Sequence, residues 1–228
     1  MIAALGRVFR YPTRAVATPP ANRSSVAHYP QTNCRRIAAT AFLAVVSLTA
    51  GTQVSWCQAD REVRGLPNFG RVTENLYRGG QPTSDGFNAL QAMGVGTIVN
   101  FRENRTETEK EKRQVESLGM KYIGIPWSAN DEPSSTQIVE FLDLARANAN
   151  TKVFVHCRRG ADRTGVMIAA YRIAIEHRPA AEAVLEMRQF HYDWFFLPHL
   201  RRYVESLPDL LQNDPQFAAY RPQPFVAR

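Results

Sequence analysis

The chain has 228 residues, room for one domain of roughly 100–200 residues plus a tail, and its 44% hydrophobic content suffices to bury a core. The ordinary 14 Pro and 13 Gly, the absence of an internal repeat of 20–50 residues and the lack of any uncharged apolar stretch of 18 residues exclude collagen-like, solenoid and polytopic membrane architectures. The net charge of +7 does not argue for a nucleic-acid partner, because six of the 28 basic residues and none of the 21 acidic ones fall in residues 1–59. From Asp60 onward, 22 basic residues face 21 acidic ones.

The basic residues of that leading stretch are Arg7, Arg10, Arg14, Arg23, Arg35 and Arg36. The Arg pair precedes an uncharged apolar run, Ile37–Ala50, and a Cys57-Gln58-Ala59 step. This order of features predicts a targeting segment over 1–59 containing a signal peptide cleaved near Ala59, hence an exported protein, periplasmic in a bacterium, while the Arg-rich, acid-free composition also fits an organelle transit peptide. Left uncleaved, the segment 37–54 would anchor the chain to a membrane. Trp56 stands where a lipoprotein signal needs a small residue, which argues against lipidation. Cleavage removes Cys34 and Cys57, leaving Cys157 as a lone thiol that is either a small buried hydrophobe or a nucleophile.

Residues 60–67 read as a linker, 68–207 as the folded domain and 208–228 as a loosely packed, Pro-containing tail. Within the domain, β-type runs alternate with helical stretches, predicting an α/β fold with a short, mostly parallel central sheet flanked by helices. In chain order the elements are a strand at Asn75–Arg78, a helix at Ser84–Met93 ended by Gly94, and a strand at Thr97–Arg102. A helix at Thr106–Leu118 ended by Gly119, a strand at Lys121–Pro126 and a helix at Ser134–Asn148 follow. The all-apolar Val153-Phe154-Val155 marks Lys152–His156 as a strand covered on both faces. Val166–Ala170, Ile173 and Ile175 make the helix Thr164–Glu176 a buried one, and helices at Ala180–Phe190 and Pro198–Leu207 complete the body. The charged run Glu107–Arg113 reads as a solvated helix face, and Trp127 and Trp194-Phe195-Phe196 as packed core aromatics rather than the walls of a slot.

Between the buried strand and the buried helix stands HCRRGADRTG, His156 to Gly165, with five residues separating Cys157 from Arg163. A strand end running into a helix start gathers unpaired N–H groups and the positive end of a helix dipole, which together cradle a phosphate dianion and favour a thiolate. Arg163 supplies a bidentate fork for phosphoryl oxygens. Gly160 lets the backbone turn, Thr164 can hydrogen-bond the sulfur, Gly165 lets the helix pack close to the loop and His156 holds the loop from behind. The candidate phosphate-binding positions are Arg158, Arg159, Gly160, Ala161, Asp162 and Thr164. Six specified letters at fixed spacing arise by chance at well under roughly one in ten thousand, so the pattern outweighs an inert Cys157. No metal-ligand spacing, GxxxxGK[ST] or GxGxxG pattern accompanies it, and no cofactor or metal is expected.

This loop resembles that of the cysteine-based protein tyrosine phosphatases, and its surroundings resemble their small dual-specificity-like branch. Asn75-Leu76-Tyr77-Arg78 with Gln81-Pro82, the strand Ile98–Phe101 and Ile125-Pro126-Trp127 are similar to exported bacterial and plant-fungal atypical members. The resemblance implies a nucleophile at Cys157, a phosphate clamp at Arg163, and a general acid on the loop before the helix leading into the Cys157 strand. That acid falls at Asp131, 26 residues before Cys157, with Asn130 at the ungapped position and Glu132 in reserve. It implies hydrolysis of phosphotyrosine, with phosphoserine and phosphothreonine alongside. Arg158 and Arg159 leave open an inositol phosphate or phosphoinositide substrate, and Arg78 and Gln81 are expected near the loop. Sulfur transfer, which uses a shorter loop, and a non-catalytic phosphoprotein-binding module are the readings from other classes.

Overall fold

The computed structural model describes residues 63–147 and 151–221; the predicted leader and its cysteines lie outside the described residues. In chain order the elements are β1 (Gly70–Arg71), β2 (Leu76–Gly79), α1 (Ser84–Ala92), β3 (Val95–Asn100), α2 (Arg105–Ser117) and β4 (Lys121–Gly124). α3 (Ser135–Ala147), β5 (Lys152–His156), α4 (Asp162–Ala174), α5 (Ala180–Gln189), α6 (Pro198–Asn213) and a 3-10 turn (Pro215–Tyr220) follow. Among the described residues the strands form one sheet in the order β1-β2-β5-β3-β4, parallel except for the β1–β2 pair, as the alternation of strand and helix predicts.

Alternation of side chains along the strands sorts the core into two halves. Val153 and Val155 of β5, with Leu76 and Val99, join the half covered by α3, α4, α5 and α6. Phe154, with Tyr77, Val95 and Ile98, joins the half covered by α1 and α2. β5 therefore lies mid-sheet with both faces sealed, and α4 follows it as the central helix. All of α4 is buried save Arg163 and Tyr171.

Two boundaries differ from the expectation. Residues 63–67 are no linker: Leu66 is buried, Pro67 O accepts from Gly80 N (2.7 Å), and Gly65 O accepts from Thr83 N (2.9 Å). Nor are residues 208–221 a loose tail. The stripe Leu200, Tyr203, Val204, Leu207 and Leu211 continues across Pro208, and Phe217 and Tyr220 fold back into the same core. A proline inside a helix costs about 3 kcal/mol or more. Burying Leu211, Phe217 and Tyr220, at about 1.5–3 kcal/mol for a large apolar side chain, outweighs it.

Candidate active site

β5 ends at His156, and the chain turns through residues 157–161 into α4. Gly160 makes that turn: its φ is +73°, and a Cβ there would meet Gly79 C at 2.3 Å, so the loop rests directly on the end of β2. Gln81 N donates to Arg158 O (3.0 Å), and Asn68 Nδ2 donates to Arg159 O (3.1 Å). Arg78, fully buried, donates from Nη2 to Gly160 O (3.0 Å), lies 3.8 Å over the Phe190 ring and sits 3.8 Å from Glu186. Glu186 in turn holds Arg172 of α4 through Nε (2.8 Å), so a buried ionic chain runs from the α4–α5 interface to the loop. Gly165 serves this packing against α5 rather than the loop itself, since a Cβ there would meet Met187 Cγ at 3.3 Å.

Cys157 is recessed, 2% exposed, and its thiol is free. Thr164, in the first turn of α4, is fully buried, and its Oγ1 has no hydrogen-bond partner among the described residues. Arg163 extends from that turn and donates through Nη1 to Trp127 O (3.1 Å) and Phe101 O (3.3 Å), with Glu103 at 4.0 Å. Its guanidinium is thereby braced against the end of β3 and the start of the loop that carries Asp131. That loop is fixed at both ends. Ser134 and Gln137 cap α3 reciprocally, Gln137 Nε2 donates to Pro126 O (2.7 Å), and His199 Nε2 meets Ala129 O (3.2 Å). Asp131 and Glu132 remain exposed, and the charge of Glu132 adds to the burial that pushes the Tyr203 phenol up.

The loop's two other arginines behave differently. Arg159 pairs with Asp162 Oδ2 (2.7 Å), a bond that, more than any other influence, holds the guanidinium above its usual range. Asp162 Oδ1 also accepts from Asp193 N (3.0 Å), so this buried carboxylate orients a neighbouring arginine and a neighbouring loop. Arg158 is exposed and, with Arg102 and Arg163, lines a groove of about 570 Å³ that also holds Glu103 and Glu107. Burial, then the nearby Arg163 and Arg158 charges, pull the Arg102 guanidinium down.

Glu111 departs from its sequence-based expectation. It lies in the charged run expected to face solvent, yet it is 4% exposed. Its carboxylate accepts from His156 Nε2 (2.8 Å), Asn100 Nδ2 (2.8 Å) and Gln81 Nε2 (2.9 Å), while His156 Nδ1 meets Cys157 O (3.2 Å). Trp127 packs in the core as expected. Trp194, Phe195 and Phe196 do not: they are 59%, 70% and 75% exposed, because buried Tyr192 and half-buried Leu197 anchor the segment and leave the three rings outside.

Comparison with known proteins places the chain in a family. The profile of a family described as "DSP-PTPase phosphatase fused to NAD+ Kinase" matches residues 62–195. The chain belongs to the cysteine-based protein tyrosine phosphatases, in their dual-specificity branch. Dual specificity protein phosphatase 26 of Mus musculus is 26% identical over 123 residues, 51% of this chain and 56% of that protein. Dual specificity protein phosphatase TpbA of Pseudomonas aeruginosa is 26% identical over 141 residues, 61% of each chain. This chain thus spans little more than half the length of these relatives. Among solved structures, P. aeruginosa TpbA superposes with a TM-score of 0.57 at 23% identity, covering 71% of this chain and 99% of that one. The core catalytic domain of the PP-IP phosphatase SIW14 from S. cerevisiae gives 0.53 at 19% identity, covering 66% and 95%. These two likenesses carry the fold.

Proposed function

We propose that the chain hydrolyses phosphotyrosine, and phosphoserine and phosphothreonine alongside it, through a cysteinyl-phosphate intermediate. The observation that carries this reading is the recessed Cys157 between the end of β5 and the first turn of α4, with Arg163 and the unpartnered Thr164 hydroxyl in that turn. TpbA has been solved in complex with phosphotyrosine, which supports the choice of substrate.

Cys157 Sγ, as thiolate, attacks phosphorus in line; the S–P bond forms as the ester P–O bond breaks, and Asp131 gives its proton to the departing oxygen. Arg163 and the loop N–H groups bind the equatorial oxygens as charge shifts onto them. Water then attacks the phosphorus, its proton passes to Asp131, and the S–P bond breaks to release inorganic phosphate and the thiolate. Thr164 Oγ1–H has its donor available for the returning sulfur charge.

The test is hydrolysis of p-nitrophenyl phosphate by the full chain in EDTA, with Cys157→Ser and Asp131→Asn compared on the same compound and on a phosphotyrosine peptide. Cys157→Ser is expected to abolish turnover of both. Asp131→Asn is expected to lose about 10²–10⁴-fold on the peptide and less on p-nitrophenyl phosphate, whose leaving group needs little protonation. Loss on neither would move the acid to Glu132, and activity retained by Cys157→Ser would overturn the mechanism.

The groove beside Arg163 favours a second reading, an inositol phosphate substrate. Arg102 and Arg158 there offer two further cations to a second phosphate, and SIW14, a fold neighbour, is described as a PP-IP phosphatase. Phosphate release from inositol polyphosphates exceeding that from phosphotyrosine peptides, and reduced by Arg102→Ala, would establish it.

A further inference from the structure

Trp194, Phe195 and Phe196 form an exposed apolar patch larger than scattered surface hydrophobics explain. The segment is held firmly. Phe196 N and Leu197 N donate to Asp193 Oδ1 (3.1 Å) and O (3.0 Å), and the Tyr192 phenol bonds Leu197 O and accepts from Arg201 N (3.1 Å). The rings pack edge to face, Trp194 on Phe195 at 6.2 Å and Phe195 on Phe196 at 5.1 Å. Trp194 and Phe195, with Pro198, Arg201, Arg202 and Glu205, border a groove of about 430 Å³.

The base of this segment is bonded to the phosphate-binding loop, since Asp193 N donates to Asp162 Oδ1 (3.0 Å) and Arg159 Nη2 lies 3.9 Å from Asp193 Oδ2. Trp194 follows Asp193 directly, so the aromatic segment begins next to the residue that is bonded to the loop. We propose that the Trp194–Phe196 patch is the docking surface for the polypeptide flanking the phosphorylated residue of a protein substrate. An apolar or aromatic flanking side chain enters the groove, and an acidic one meets Arg202 and Arg188, whose guanidinium lies 6.0 Å over the Trp194 ring. The inference rests on the phosphatase reading above.

Preformed aromatic surface with arginine at its rim is the composition of protein-recognition hot spots. The carboxylates of Asp193 and Glu205, the latter 2.7 Å from Arg201, stand among the cations, so the rim of the patch presents both signs of charge. A polypeptide, which carries both signs, suits this surface.

The test uses the full chain and a panel of phosphotyrosine peptides in which each flanking position in turn carries Phe or Ser, with p-nitrophenyl phosphate assayed in parallel. The wild type is expected to prefer Phe at one position by about tenfold in kcat/KM. Phe195→Ser and Trp194→Ser, each verified as folded by circular dichroism, are expected to bring that preference to about one. Arg202→Glu is expected to reverse a preference for Asp over Lys at a neighbouring position. Turnover of every peptide with no flanking preference overturns the inference while leaving the phosphatase reading standing, whereas no turnover of peptides or p-nitrophenyl phosphate fails that reading instead. Binding to phosphatidylserine vesicles, or dimerisation seen by light scattering, that Phe195→Ser abolishes in a chain without flanking preference would reassign the patch to a membrane or to a second copy.

Discussion

Glu111 joins three strands beneath the site, with donors from Gln81 just beyond β2, Asn100 at the end of β3 and His156 at the end of β5. A buried carboxylate accepting three N–H groups remains favourable only while all three are supplied, and each charge-assisted bond is worth about 1.5–3 kcal/mol. Glu111→Gln keeps the shape but turns an NH₂ toward one or more donors. We expect it to lower urea-unfolding stability by about 2–4 kcal/mol. It should also reduce kcat/KM, because Glu111 fixes the His156 ring, which packs 3.2 Å behind the Cys157 carbonyl at the start of the loop. Glu109→Gln, on the exposed side of the same helix, should stay within about 0.5 kcal/mol. Equal effects at both positions would contradict the buried network. The spacing held a signal for this role: Glu111 and the buried Val115 stand four residues apart, on one face of α2. The acid-rich composition around it hid that signal, because charge runs are most often solvated.

The elements read most directly from the chain are those whose burial is two-sided. β5 falls at Lys152–His156 as predicted, since three consecutive apolar residues between polar ends can only be a sealed strand or a short buried helix segment. β1, two residues long, carries no period to detect. The C-terminal region failed for a different reason: Pro208 and Asp-Pro at 214–215 are local breaking signals, but tertiary burial overrides them. Asp214 caps the final turn by accepting from Gln216 N (2.9 Å) and Ser135 Oγ (2.6 Å), which tie it to α3. Phe217 is fully buried at the end of this arrangement. Phe217→Ala is expected to cost about 3–5 kcal/mol in urea denaturation. A cost below about 1 kcal/mol would restore the reading of residues 208–228 as a tail.

At the scale of the molecule, buried and half-buried phenols in different layers respond together to alkali. Burial is the largest cause at each: it pushes Tyr122 and Tyr220 up to about 12 and also raises Tyr171, Tyr192 and Tyr203. Neighbouring carboxylates add to it, Glu111 at Tyr122 and Asp143 at Tyr220. The unfolded chain releases these protons near pH 10, the ordinary phenol value, while the folded chain holds them, so stability falls with rising pH over this window. The contribution is fully present below pH 10 and is lost as pH climbs toward about 12. The urea midpoint should therefore decline steadily above pH 10, and phenolate absorbance of the native protein should lag that of the urea-unfolded chain. Tyr122→Phe should flatten the decline, since the α2–β4 side of the sheet then has no phenolic proton to lose there. Coincident phenolate curves for folded and unfolded chains would mean that water reaches these rings, and with them the layers that hold the phosphate-binding loop in place.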